Sequence, residues 1–388
     1  MKLFIIPSWY PSRLHPESGS FFRDMALLLQ KAGHEVTVIT YLIHSTREAF
    51  QFRALPKERS QPQQEGALRV YREEAVNRFP KFQKRAYAWY QPRVIRLVER
   101  ALAQEGRPDL VLVHSSLWAG AALACYIGEE SLPFFITEHL KEFLPPGGFT
   151  PFQRECIQEA YRSTVGILAT SAALAEGIMA QFPVPPSRLH VVPNPVDTEI
   201  FQPGNEPSRS PFTFITVALL RPEKRLDVLL RACAQVLGKG HSIRLIVVGK
   251  GPEEPHLRKL AQELKMAPHT KFVGYQTQRE VVKLLQASHA LVLSSEMETF
   301  GMVLVEAMAC GKPVIATRCG GPESIVTPKT GLPVPVNDHE ALATAMETML
   351  SSYHRFQPQA IREYVEARFS GRAYAQSIEN LFQSIVAD

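Results

Sequence analysis

Two glutamates, Glu298 and Glu306, enclose seven residues around the start of a predicted short helix. Carboxylates at those two places can hold two hydroxyl-bearing parts of one ligand, while the helix N-terminus between them faces an anion. A nucleoside diphosphate sugar has that shape: ribose, diphosphate, sugar. The flanking residues set the geometry. Ala290-Leu291-Val292-Leu293 reads as a buried parallel strand, and Ser294 to Thr299 as the polar loop at its carboxyl end. Gly301 permits close backbone approach. Met302, Leu304, Val305 and Met308 recur at helical spacing, Gly311 stands at the C-cap, and Pro313 stops the helix before the strand Val314-Ile315-Ala316. Strand, loop, helix, strand is one βαβ unit, and such sheets bind ligands at the strands' carboxyl ends.

A bare pair of glutamates at this spacing also fits a generic βαβ unit with two solvated carboxylates. With Phe300-Gly301 and Gly311-Lys312-Pro313-Val314 in register, the stretch resembles the E-x7-E signature of the retaining glycosyltransferases of family 4. The resemblance implies the GT-B architecture: α/β, with two Rossmann-like doubly wound domains facing across a cleft. It implies that Glu306 takes the ribose hydroxyls, that Glu298 contacts the transferred sugar, and that the backbone amides of Phe300, Gly301 and Met302 donate to sugar or phosphate oxygens.

Glycosyl transfer also needs a cationic grip on the leaving diphosphate, since there is no metal-binding aspartate motif. Residues 217–230 resemble the family's G-R-L-x-x-x-K-G segment, which places Lys224 on the family lysine and Leu219 where the family has arginine. Arg221, two positions on, reaches the same phosphate if the loop bends; a solvated loop arginine is the other reading. Gly249 and Gly251 of Gly249-Lys250-Gly251-Pro252 resemble the family's turn near the base, and a plain tight turn is an equal reading. In the first half, Gly19 matches a glycine that approaches the diphosphate. His139, at the end of the strand Phe134–Thr137, matches a histidine facing the donor sugar, where an imidazole can hydrogen-bond a hydroxyl. His114 and Glu323 also follow strands; a structural role suits both better.

These residues ride on strand–helix repeats. The strand Lys2–Ile6, a loop to Ser20, the helix Phe21–Ala32 and the strand His34–Ile39 form a doubly wound opening. Residues 45–66 read as a mobile excursion rich in Gln, Pro, Arg and Glu. The pattern breaks at Asn194-Pro195-Val196-Asp197, and a polar stretch follows. The expected division is residues 1–198 as an acceptor-side domain, 199–370 as the nucleotide-sugar domain, and 371–388 as a helix packing back on the first, as in GT-B relatives.

At 388 residues, 45% hydrophobic and 21% charged, the chain suits two globular domains. Five scattered cysteines with no CxxC pair argue for free thiols and against zinc or a disulfide framework. Pro7 ends too short an apolar run for a secretory signal, and Leu110 to Gly128 divides into strand, loop and helix rather than a membrane span. A cytoplasmic protein is expected. Between residues 69 and 100, nine Lys/Arg against three acids are interleaved with Phe79, Phe82, Tyr87, Trp89 and Tyr90. That mixture suits peripheral contact with the anionic inner face of a membrane, or a solvated helix face over buried aromatics. Nucleic-acid recognition motifs are missing. The expectation is therefore a retaining glycosyltransferase of polysaccharide or glycoconjugate biosynthesis. It moves a hexose or N-acetylhexosamine from a nucleoside diphosphate sugar to a sugar or lipid-linked acceptor hydroxyl, with no metal or other cofactor. The alternatives are a GT-B epimerase or hydrolase, and a non-catalytic membrane-associated partner of the same fold.

Overall fold

The computed structural model describes residues 1–45, 62–130, 132–208 and 210–387. The chain forms two units, Met1–Pro195 with Tyr374–Asp388, and Val196–Ala373. The division falls three residues before the boundary drawn from the polar stretch. Val196 already belongs to the second unit: its N–H donates to Phe369 O at 2.7 Å, and its side chain is buried.

The first unit holds an eight-stranded sheet built from β1 (Lys2–Pro7), β2 (Glu35–His44), β3 (Gln63–Glu65), β4 (Leu68–Val76), β5 (Leu110–His114), β6 (Phe134–Glu138), β7 (Gly166–Ala169) and β8 (Leu189–Val191). Its order is β3-β4-β2-β1-β5-β6-β7-β8, and every pairing is parallel except β3 with β4. Alternation along β1 explains the two-sided core. Leu3 and Ile5 face one layer with the helix Ser20–Lys31, while Phe4 and Ile6 face the other with the helix Gln83–Glu105. Tyr374, Ala375 and Ile378 of the last helix, Gly371–Ala387, are buried in the first of these layers.

Two readings change here. Of the excursion expected over 45–66, residues 46–61 lie outside the described residues, while Gln63–Glu65 is a strand closing a hairpin onto β4. The basic segment 69–100 is not one surface. It begins in β4, and Tyr90 is buried while Tyr87 and Trp89 pack against the core. Three of its arginines are paired: Arg69 with Glu105, Arg72 with Glu65 and Arg100 with Glu73. Phe82 is the aromatic left in water, 58% exposed, beside exposed Arg78, Lys81, Lys84 and Arg85. Burial decides this, because amphipathic spacing cannot tell which face a helix presents to the core.

The second unit holds a six-stranded, wholly parallel sheet of β9 (Phe212–Val217), β10 (Ile243–Val248), β11 (Thr270–Gly274), β12 (Ala290–Leu293), β13 (Val314–Thr317) and β14 (Gly331–Val334), in the order β11-β10-β9-β12-β13-β14. The strand order reverses at β1/β5 in the first sheet and at β9/β12 in the second, which is where open parallel sheets leave a crevice at the carboxyl ends.

Candidate active site

At the second reversal, the loops after β9 and β12 meet. The β9 loop runs into a 3-10 turn, Pro222–Lys224, and then the helix Leu226–Gly238. Lys224 Nζ donates to Glu298 Oε1 at 2.6 Å, and Ser295 Oγ donates to the same oxygen at 2.7 Å. The backbone beneath is pinned from several sides. Ser294 Oγ donates to Lys224 O at 2.9 Å, and Thr317 Oγ1 to Ser295 O at 2.6 Å. Glu298 N–H donates to Cys319 O at 3.0 Å, and its carbonyl accepts from Gly321 N at 2.7 Å. The Glu298 carboxylate is thus a positioned acceptor and not a solvated side chain.

Gly301 is the N-cap of the helix Met302–Ala309, at φ +102°, and Phe300 before it is buried. The first N–H groups of that helix have no intrahelical acceptor. Glu306 lies on the same helix, half-buried, and Gly311 follows its end at φ +72°. Lys312 does not face this site. It is buried, its Nζ donates to Gln286 O at 2.9 Å, and burial pulls its ammonium below the usual lysine range. It neutralises the carboxyl end of the helix Gln278–Gln286.

The departure at Leu219 has a local consequence. Arg221 N–H donates to Leu219 O at 2.8 Å, a three-residue turn with Leu220 buried at its centre. Leu219 and Arg221 are both exposed, and the turn brings their backbones close together. Gly249, at φ +125°, and Gly251 pack directly on this turn; a Cβ at either would collide with the backbone of Ala218 or Leu220. The Leu220 N–H donates to Lys250 O at 3.0 Å. The two glycines therefore shape the Leu219–Arg221 turn, a role that needs no contact with a base. Glu323 closes the turn before it, accepting from Gly320 N at 3.0 Å through Oε2, the structural role expected for it.

In the first unit, Gly19 caps the helix Ser20–Lys31 at φ +66°, and a Cβ there would come within 2.6 Å of Trp9 O. That helix start and His139 come together through aromatic rings: Phe21 and Phe22 lie 5.4 and 4.9 Å from the His139 ring. His139 Nε2 shares a hydrogen bond with His114 Nδ1 at 3.2 Å. His114 is fully buried, and burial pushes its ring down to about 3. Burial, and then His114, hold His139 well below the usual imidazole range. Both rings are neutral near pH 7, so one donates and the other accepts.

Sequence reasoning passed over the group under His139. Glu138 is completely buried and accepts from Ser116 N at 3.1 Å and from the Tyr161 hydroxyl at 2.9 Å. Its Oε2 and the hydroxyls of Ser115 and Thr137 have no partner among the described residues. Burial pushes its carboxyl up to about 7 against those two donors. Glu138 stands next to His139 and was legible on that ground, whereas Tyr161 lies 23 residues away, where spacing carries no signal. Ser295 was likewise passed over, because a polar loop offers many candidate hydroxyls. Among the described residues, no group of three or more His, Cys, Asp or Glu is placed to hold a metal.

Two parallel doubly wound units, with chemistry-bearing loops at the carboxyl ends of the strands, define a GT-B α/β protein. Residues 197–368 match the model of glycosyl transferases group 1, and residues 18–200 that of glycosyltransferase family 4. Together the two matches span residues 18–368, and both are models of glycosyltransferases. The chain is 25% identical over 228 residues to the fission yeast Schizosaccharomyces pombe phosphatidylinositol N-acetylglucosaminyltransferase gpi3 subunit, covering 57% of this chain and 49% of that one. It is 27% identical over 304 residues to a D-inositol 3-phosphate glycosyltransferase of Saccharomonospora viridis, covering 71% of this chain and 70% of that one. The match thus spans between half and about two thirds of these relatives' lengths. In fold it is similar to sucrose-phosphate synthase from Thermosynechococcus elongatus, with a TM-score of 0.76, 20% identity and full coverage of both chains.

Proposed function

We propose that the protein transfers a hexose or N-acetylhexosamine, with retention of configuration, from a nucleoside diphosphate sugar to an acceptor hydroxyl in glycoconjugate biosynthesis. The observation that carries this reading is the Lys224–Glu298 contact at the β9/β12 reversal, 2.6 Å long and fixed by Ser295. Lys224 has two further N–H donors, enough to stabilise a diphosphate as it gains charge on departure. Arg221, brought alongside by its turn, adds a second cation where the family has arginine at the Leu219 position. Glu298 orients the sugar, whose anomeric carbon becomes cation-like in the transition state. Glu306 takes the ribose, and the amides of Phe300, Gly301 and Met302 receive oxygens of the sugar or phosphate. Gly19 lets the first helix approach the diphosphate, and His139, neutral and pinned by His114, presents one ring nitrogen to a sugar hydroxyl. The relatives named for inositol-based glycolipid and inositol phosphate transfer support a sugar-accepting polyol or lipid-linked substrate.

Thermal-shift screening of nucleoside diphosphates and their sugars identifies the donor. NMR of the product's anomeric proton then tests retention. Release of free sugar or an epimer without acceptor would replace this reading with hydrolase or epimerase chemistry, and failure to bind any nucleoside diphosphate would favour a non-catalytic role.

One further observation favours peripheral membrane contact: exposed Phe82 stands among exposed Arg78, Lys81, Lys84 and Arg85. Among the described residues, no helix is long and apolar enough to cross a membrane.

A further inference from the structure

A second concentration of charge lies in the first unit and shares no residue with the donor set. It is a cavity of about 510 Å³ lined by Pro11, Arg13, Arg23, Leu27, Glu65 and Arg72, among others. Three elements build it: the loop after β1 carries Arg13, the helix Ser20–Lys31 carries Arg23 and Leu27, and the β3–β4 hairpin carries Glu65 and Arg72.

Arg72 is held in place and only partly satisfied. Its Nη2 donates to Glu65 Oε1 at 2.6 Å, and its guanidinium lies 5.2 Å above the buried Tyr10 ring. The Tyr10 hydroxyl donates to Glu65 Oε2 at 3.4 Å, so Glu65 is itself fixed. Arg72 Nε, by contrast, is buried with no hydrogen-bond partner. An unpartnered N–H of a buried guanidinium is costly unless an acceptor arrives. Among the described residues, Arg23 has one ion pair, a 3.5 Å contact to Asp24, and Arg13 is exposed with none. The cavity wall thus sets three arginines against one glutamate. That excess matches the nearly two charges of a phosphate monoester near pH 7, and planar guanidinium forks match its oxygens.

We propose that this pocket binds a phosphate ester carried by the acceptor. The assignment to the acceptor rests on the glycosyltransferase reading; the anion site itself does not. The donor's diphosphate is assigned to Lys224, in the other unit. The loop that carries Arg13 runs on to Gly19, so a ligand seated there lies beside the loop expected at the reaction. The cavity's size suits a phosphate together with a sugar or polyol ring.

Calorimetry on the full chain tests this with inorganic phosphate, sn-glycerol 3-phosphate and glycerol. Glycerol 3-phosphate should bind and glycerol should not. Arg13→Gln and Arg72→Gln should each weaken glycerol 3-phosphate roughly tenfold or more, with nucleoside diphosphate binding unchanged, and exposed Lys259→Gln should bind both ligands as wild type does. Arg13 is exposed, so its variant folds even if Arg72→Gln disturbs the hairpin. Unchanged glycerol 3-phosphate affinity in both arginine variants would overturn the site. Displacement of glycerol 3-phosphate by a nucleoside diphosphate would overturn the acceptor assignment. Vesicles of phosphatidylcholine with phosphatidylinositol separate the sources: displacement by them identifies a lipid headgroup, and no displacement identifies a soluble phosphate ester, and both keep the pocket. A wild-type protein that binds glycerol 3-phosphate but no nucleoside diphosphate would sink the glycosyltransferase reading and leave the pocket standing.

Discussion

Lys224 Nζ and Glu298 Oε1, 74 residues apart in sequence, lie 2.6 Å apart in space. The contact joins the loops of two neighbouring parallel strands, β9 and β12. Ser295 donates to the same oxygen, leaving Oε2 directed to a ligand hydroxyl in the proposed mechanism. Lys224 and Glu298 are 22% and 17% exposed, dry enough for the interaction to matter and open enough for a substrate to reach both.

Because the two side chains act as one unit, Lys224→Ala and Glu298→Gln should each reduce kcat/KM by roughly a hundredfold or more, as loss of a transition-state electrostatic contact does. The double variant should lose less than the product of the two. Steady-state kinetics of all four proteins checks this. Cleanly multiplying losses would mean that the pair has no shared catalytic task.

Glu306→Ala should act on binding. The affinity for the preferred nucleoside diphosphate should fall roughly ten- to a hundredfold, the usual cost of removing a charged hydrogen-bond partner. The 2′,3′-dideoxy analogue should bind wild type and variant alike. Equal losses for both ligands would move Glu306 away from the ribose.

Glu138 should give stability an unusual pH dependence. Its carboxyl is pushed up from 4.5 to about 7, mainly by burial. Between those values the unfolded chain has released the proton and the folded chain keeps it, so this contribution is complete below about 4.5 and is lost as pH rises through about 7. The amount is ~3 kcal/mol at 1.36 kcal/mol per pKa unit. His114, pushed down to about 3, contributes with the opposite sign, its part being lost as pH falls below 6.5. Urea unfolding of wild type and Glu138→Gln across pH 4.5 to 8 isolates the Glu138 term, since His114 cancels in the difference. Wild type should lose ground to the variant as pH rises; a constant difference would refute the buried-acid assignment.

Phe82→Ala and Lys84→Glu should each weaken co-sedimentation with anionic vesicles at low salt, the charge reversal by roughly 1 kcal/mol or more. Arg100→Gln should do less, since Arg100 is paired with Glu73 at 2.6 Å. No wild-type binding at low salt would end the membrane reading.

The sequence by itself determined the βαβ unit around Glu298 and Glu306 and the doubly wound class. Apolar strand runs, the Gly301 cap and the Gly311–Pro313 stop are local signals, written within a few residues of the elements they control. It also located the departure at Leu219. It did not show that residues 69–100 divide between a strand and a half-buried helix, because periodicity marks an apolar face without saying what covers it. Tertiary structure alone decided that Lys224 touches Glu298 and that Tyr161 reaches Glu138. It alone gathered Arg13, Arg23 and Arg72 around one cavity. Each of these depends on the order in which strands enter a sheet, which places distant loops side by side through many weak packing contacts that no short stretch of sequence records.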